Sequence, residues 1–476
     1  MQMLIDGNRC DSCSGQTFAV RNPATGTVID TVPLGGVEDI DRAVEAGTAA
    51  FEAWSTIPAR ERGRILFVAA QEVRRQNRSL GALLTAEQGK PLREAIDEIN
   101  GFAYTLEYYH GIAASNHGEY ANLPGYGHAL VSRVPLGVCA AIIPWNMPAL
   151  IMGWKVGPAL AAGNTMILKP ASTAPLTCLA LAGILGEAGL PAGVLNIVTG
   201  PGETVGRAIA RHPAIRKISF TGEIATGRRV MEDAAPAMKR VTLELGGSDP
   251  MIVCSDADIP AAVEGAARGR FYNCGQTCTA IKRLYVDEKI AQEFTDRLTE
   301  RIRSMRIGSG MTEGVAMGPM NNRAVQQRIV DLVEAAREGN EGTIRTGGSV
   351  PHGEDFHAGY FYEPTLITDV PQDSVLLAEE VFGPVLPAVS VTDLDEALSL
   401  ANKSRFGLGA SVWTKNLDCV DQACSGLKAG IIWVNQHLRI PPEVPFGGMK
   451  ESGLGRENGY EALEDYLEKK TVLIRP

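Results

Sequence analysis

The run Val138-Cys139-Ala140-Ala141-Ile142-Ile143-Pro144-Trp145-Asn146-Met147-Pro148 decides the fold. Its first six residues are apolar and β-rich, and two prolines then end the strand and stiffen the loop. Runs of the same kind recur downstream at Thr165–Leu168, Val194–Val198, Ile215–Phe220 and Met251–Val253. Helical stretches lie between them, such as Leu176–Glu187, which ends at Gly189 with Pro191 just beyond. Strands alternating with helices imply parallel α/β units. Upstream, from about Val37 to Ser115, apolar residues fall three and four apart with charges between them, a helical pattern. Asp6-Gly7 and Asn22–Gly26 look like turns between short strands. After residue 250 the alternation resumes, with a helix near 258–275, a strand at Arg283–Val286 and a helix near 288–306. The expectation is two mixed α/β domains in sequence, divided near Gly246-Gly247. Thr471–Ile474 reads as a short apolar strand of the kind that pairs with a partner's edge.

The 476 residues allow two to four structural units. A formal charge of −10 argues against a nucleic-acid surface. Nine cysteines at this length make no disulfide framework. The N-terminal residues carry charge by Asp6 and have no apolar core of a signal peptide. The most apolar stretch, 134–168, is interrupted by Pro144, Pro148, Lys155, Pro158 and Asn164, so it makes a poor membrane span. The expected setting is cytoplasmic, with reduced thiols and no membrane or nucleic-acid partner.

Four motifs carry chemistry. Asn273-Cys274-Gly275-Gln276-Thr277-Cys278 offers a thiol that can act both as nucleophile and as thioester leaving group. On spacing alone, Cys274 and Cys278 read first as small buried hydrophobes. No histidine lies at ligand spacing near them, so no metal is expected. Cys10-x-x-Cys13 has redox spacing but lacks a βα context. Glu244, in Val241-Thr242-Leu243-Glu244-Leu245-Gly246-Gly247, is a carboxylate among apolar residues, suited to a raised pKa and a general-base role. Pro144-Trp145-Asn146-Met147-Pro148 aims an amide donor of the type a developing oxyanion needs. Lys169-Pro170, Gly200–Gly206 and Phe220–Gly227 follow successive strands, where an α/β sheet binds a nucleotide, although G-x-G-x-x-x-G is not the dinucleotide fingerprint.

In this order these pieces resemble the aldehyde dehydrogenase superfamily over nearly the whole chain. To them are added Gly157–Asn164, Glu380-Val381-Phe382-Gly383-Pro384, Pro445–Lys450 and Ser452–Glu457. The resemblance implies an α/β fold: a Rossmann-like cofactor domain (1–116 and 136–246), an α/β catalytic domain (247–446) and a return segment (447–462). A small β oligomerisation element (117–135 and 463–476) would build a homodimer or homotetramer. It implies NAD(P)+ as cofactor and Cys278 as nucleophile, with the oxyanion held by the Asn146 amide and the Cys278 backbone N–H. Glu244 would then activate water to cleave the thioester; relatives that pass the acyl group to coenzyme A generally lack this glutamate. Lys169 is placed with the catalytic residues and, with Glu380, on the cofactor's riboses. Ile143, Pro144, Trp145, Ser172, Gly202, Phe220, Gly222, Glu223, Thr226, Leu245, Gly246 and Phe382 complete the expected cofactor contacts.

Two departures shape the remaining expectations. Where NAD-preferring relatives carry a Glu three residues after the lysine, this chain has Ser172, so NADP+ is expected to be accepted or preferred. Where the family commonly has a Ser near the pyrophosphate, it has Glu223. Met147, Trp154, Tyr272, Thr277, Thr279, Ile440 and Phe446 are expected to frame an apolar or aromatic aldehyde, with Arg439 at the mouth. The alternatives are a succinate-semialdehyde or non-phosphorylating glyceraldehyde-3-phosphate dehydrogenase that uses Arg439, or a structural protein that has kept the fold without catalysis.

Overall fold

The helical pattern of the first hundred residues resolves into four helices, Val37–Thr56, Ala59–Arg75, Asn77–Gln88 and Leu92–Ile112. Pro58 and Pro91 sit at the breaks, where a ring cannot continue the ladder of hydrogen bonds. The computed structural model describes residues 1–475, so the last residue of the 463–476 segment lies outside it.

Two sheets dominate. The first runs Gly453–Leu454, Arg240–Glu244, Lys217–Thr221, Val138–Ile142, Thr165–Lys169, Leu195–Ile197, Met3–Ile5, Asn8–Cys10. Its five central strands are parallel. Their order reverses between Val138–Ile142 and Lys217–Thr221, a Rossmann-like arrangement whose switch point opens a crevice at the C-terminal ends of the strands. Both faces are covered, which is why Val138–Ile142 and Thr165–Lys169 are buried at every position. The second sheet runs Thr343–Thr346, Thr365–Thr368, Val385–Val391, Ile281–Asp287, Asp249–Val253, Gly409–Trp413, Ile431–Val434, parallel except at its first strand. The α/β class expected from the alternation is the one observed.

Helix Pro148–Ala162 starts on a proline at its first position and stops at Gly163 in the left-handed region. It is buried almost all round, so its one charged residue, Lys155, needs a partner. Glu119–Leu123 and Gly127–Pro135 form a hairpin, and Leu467–Ile474 pairs antiparallel along its second strand. This three-stranded sheet exposes Leu123, Leu130, Val472, Leu473 and Ile474. Among the described residues, no helix is long and apolar enough to cross a membrane.

One expectation is corrected. The helix read near 258–275 ends at Phe271, and a single irregular turn, Tyr272–Gly275, follows. Asn273 and Cys274 in that turn have positive φ, a conformation costly for non-glycine residues. Tertiary hydrogen bonds hold it. The Asn273 N–H donates to Glu94 at 2.8 Å and its amide donates to the Asn146 carbonyl at 2.9 Å. Local periodicity carries no sign of either partner.

Candidate active site

A cavity of about 210 Å³ opens at the switch point of the first sheet. Three strand ends supply one wall: Pro144, Trp145 and Asn146; Thr221, Gly222 and Glu223; Leu245 and Gly246. Cys278, Glu380 and Phe382 close it from the side of the second sheet. Trp145 and Phe382 meet edge to face at 5.6 Å. A Cβ at Gly246 would collide with the Glu380 carboxylate, so glycine is what lets that carboxylate reach the cavity. Flat apolar walls with a carboxylate at the edge suit an aromatic ring attached to a sugar, and the residues present fit a nicotinamide riboside.

An adjoining cleft of about 480 Å³ is lined by Ile142, Gly202, Phe220, Thr226 and Arg229 among others. Lys169 ends the next strand over. It is buried, donates to the Pro170 carbonyl at 3.1 Å, and burial pushes its pKa down to about 8. Ser172 donates to the Gly200 carbonyl at 3.0 Å. Ile143 is buried, its N–H donating to the Lys169 carbonyl at 3.1 Å. Glu223 is exposed at the start of helix Ile224–Ala234, and no side-chain hydrogen bond caps that helix.

The Cys278 loop is pinned from below. The Gln276 amide donates to the Asn273 carbonyl at 3.0 Å, while its oxygen accepts the Asn321 N–H at 2.9 Å. Gly275 has φ +70°, and a Cβ there would strike the Gly383 carbonyl. Asn146 donates one amide N–H to the Gln276 carbonyl at 3.0 Å, which leaves its second for another acceptor. Burial pushes the Cys278 thiol up to about 12, with Lys282 pulling it down and the carboxylates of Asp249, Glu244 and Glu380 pushing it further up.

Glu244 ends the strand beside this loop. It is 3% exposed, and neither carboxylate oxygen has a hydrogen-bond partner among the described residues. Burial holds it well above the usual carboxylate range; Glu457 adds to that, while Lys155 and Arg456 oppose it. Lys155 meets Glu457 at 2.7 Å and the Ser219 hydroxyl at 2.7 Å, all three buried.

Met147, Trp154 and Phe446 belong to a large buried core that extends to helices Ala59–Arg75 and Leu92–Ile112, and Tyr272, Cys278 and Ile440 pack against that core. Trp154 and Phe446 stack obliquely at 5.2 Å. The buried Thr277 hydroxyl has no partner among the described residues, and the Thr279 carbonyl lies 2.7 Å from His437 Nε2. Arg439 is exposed; its carbonyl accepts the Trp433 indole N–H at 2.8 Å.

Sequence reading assigned no role to Lys90, Glu94, Glu98, Lys282 or Glu457. Lys155 appeared only as a charge interrupting an apolar run, and a charge in such a run is the signal that a buried ion pair leaves in a sequence.

The Aldehyde dehydrogenase family model matches residues 10–472. The phenylacetaldehyde dehydrogenase of Pseudomonas fluorescens is 42% identical over 483 aligned residues, covering 99% of this chain and 95% of that protein. The crystal structure of PnpE from Pseudomonas sp. WBC-3 matches with a TM-score of 0.97 at 38% identity, covering 99% of this chain and 97% of that one. That of betaine aldehyde dehydrogenase from Staphylococcus aureus in complex with NAD+ matches with a TM-score of 0.97 at 34% identity, covering 99% and 94%. The chain belongs to the aldehyde dehydrogenase family and is an NAD(P)-dependent aldehyde dehydrogenase.

Proposed function

We propose that this enzyme oxidises apolar or aromatic aldehydes to carboxylic acids through a thioester on Cys278, and that it takes NADP+ as well as NAD+. The observation that carries this reading is that Cys278 lines the switch-point cavity and also packs against the apolar core to which Met147, Trp154 and Phe446 belong. An apolar aldehyde packed against those side chains would offer its carbonyl carbon to the sulfur, at the border of the cavity whose residues would hold the coenzyme.

The Cys278 sulfur adds to the aldehyde carbon, and charge builds on the oxygen. The free N–H of Asn146, with the Cys278 backbone N–H, is suited to receive it. Bound NAD(P)+ supplies the hydride acceptor, and loss of hydride leaves the acyl group on sulfur. Glu244, buried and without a partner, is the base that takes a proton from water as it attacks the thioester. A base with a raised pKa is stronger once ionised, so hydrolysis should speed up with rising pH. Lys169 keeps N–H donors to spare for sugar hydroxyls, and Ser172 brings no negative charge to oppose a 2′-phosphate. The exposed apolar edge of the three-stranded sheet supports assembly as a dimer or tetramer.

The phenylacetaldehyde dehydrogenase relative is in line with the aromatic lining. A second reading, an anionic aldehyde, is favoured by the exposed Arg439 guanidinium alone. The test is a panel of aliphatic, aromatic, semialdehyde and phosphoaldehyde substrates with both coenzymes, run on the wild type and on Ser172→Glu. Apolar and aromatic aldehydes should lead, and Ser172→Glu should lose NADP+ turnover while keeping NAD+ turnover. Turnover of anionic aldehydes alone overturns the substrate reading, and a strong wild-type preference for NAD+ overturns the coenzyme reading.

A further inference from the structure

Lys282 is the second residue of strand Ile281–Asp287, and its side chain is fully buried. It donates to the Thr277 carbonyl at 3.0 Å and to the Cys278 carbonyl at 2.6 Å. Its third neighbour is the Glu380 carboxylate at 3.4 Å, and the Phe382 ring lies 5.7 Å from its nitrogen. All three polar partners are acceptors. Two of the N–H groups are spent on the carbonyls, and the contact with Glu380 is an ion pair that calls for the ammonium form. The charge therefore lies beneath the peptide that carries Cys278 and beside the carboxylate that borders the coenzyme cavity.

We propose that Lys282 is a positioning residue for the nucleophile: it fixes the Cys278 peptide against Glu380 and supplies the positive charge that makes the Cys278 thiolate reachable. This rests on Cys278 being the nucleophile. The charged and titratable groups that bear on the thiol are Lys282, Asp249 on the neighbouring strand, Glu244 at the end of strand Arg240–Glu244 and Glu380 across the cavity. Three of the four are carboxyl groups, which oppose a thiolate, and Lys282 is the cation among them. His437, which also lies near Lys282, is held neutral by burial, its pKa pushed down to about 4. A glutamine at this position would keep two N–H donors and lose the charge; a methionine would lose both.

The experiment measures the rate of Cys278 alkylation by iodoacetamide against pH, followed by peptide mass spectrometry so that no turnover is needed. It compares the wild type with Lys282→Gln and Lys282→Met, after thermal melts establish that each is folded. At each pH from about 7 to 9, both variants should alkylate about tenfold or more slowly than the wild type, the thiolate fraction lost with the charge. In Lys282→Gln this should occur with the melt close to wild type. If Lys282→Met does not fold, Lys282→Gln and the charge-keeping Lys282→Arg, expected to hold the wild-type rate more closely, decide the question. A wild-type rate in folded Lys282→Gln overturns the proposal and leaves Lys282 as packing. The parent reading fails separately, if Cys278→Ser retains aldehyde oxidation.

Discussion

Replacing Lys90 by Met tests how the Asn146 loop is held. The Lys90 ammonium is fully buried, pairs with Glu98, and donates to the Asn146 carbonyl at 2.7 Å. Glu98 uses its other oxygen to accept the N–H groups of Ala149 at 2.8 Å and Leu150 at 3.3 Å, in the first turn of helix Pro148–Ala162. Methionine keeps most of the lysine stem, so little packing is lost. What remains is a buried, uncompensated carboxylate, which costs about 3–5 kcal/mol. Adding Glu98→Gln removes that charge and retains an oxygen for the two amides. The Asn146 carbonyl still accepts from Asn273 in the double variant, so about 1–2 kcal/mol of the loss should remain. The double variant should therefore be more stable than Lys90→Met by about 2–3 kcal/mol. Urea midpoints of the first unfolding transition for both single variants and the double measure this coupling. The same proteins, assayed with a fixed aldehyde, should show kcat down by about tenfold or more in the double variant, as expected when an oxyanion donor drifts. Purely additive losses would refute the reasoning, since they would mean that Lys90 and Glu98 do not act as one unit.

Glu244→Gln should release one equivalent of NAD(P)H per active site and then stall, with steady turnover down by about 10²- to 10⁴-fold. Stopped-flow absorbance checks this; an unchanged steady rate would remove Glu244 from the mechanism. Stability should also depend on pH with a definite sign. Burial pushes Glu87, Glu94 and Asp249 each up to about 7, so the native state holds more protons than the unfolded chain between the ordinary carboxyl range and neutrality. That stabilisation is complete below pH ~4 and is lost as pH rises through 7. For Glu94, raised from 4.5 to about 7, the loss amounts to about 3 kcal/mol. Urea midpoints at pH 5.5 and 8 should differ less in Glu94→Gln than in the wild type, and an equal difference would contradict the assignment.

Much of this architecture was legible in the sequence because it is local. The apolar run from Val138, stopped by prolines, marks a covered parallel strand and the loop after it. Leu176–Glu187 is bounded by Gly189 and Pro191, and the helix observed has those ends. The Tyr272–Gly275 turn was not legible. Its left-handed residues are Asn and Cys rather than Gly, and the groups that enforce them come from helix Leu92–Ile112 and the Asn146 loop. The same holds for the polar network beneath the site. Lys90, Glu98, Glu457 and Lys282 show no sign of burial when read along the chain, and Lys155 shows only that it interrupts an apolar run. Burial and pairing across long sequence separations make them part of the site, and periodicity does not report such separations.

Gly453–Leu454 forms one edge of the first sheet, beside the strand that ends in Glu244, and Asn8–Cys10 forms the other. The two borders of this sheet are thus synthesised before and after the whole of the second sheet. While the ribosome is still making the second sheet, the Glu244 strand has an open flank and its carboxyl lacks the Glu457 neighbour. Long-range closures of this kind fold slowly and leave strand edges available for wrong pairing. The nascent chain should therefore depend on chaperones until the segment around residue 454 emerges, and full burial of Glu244 should be among the last events of folding.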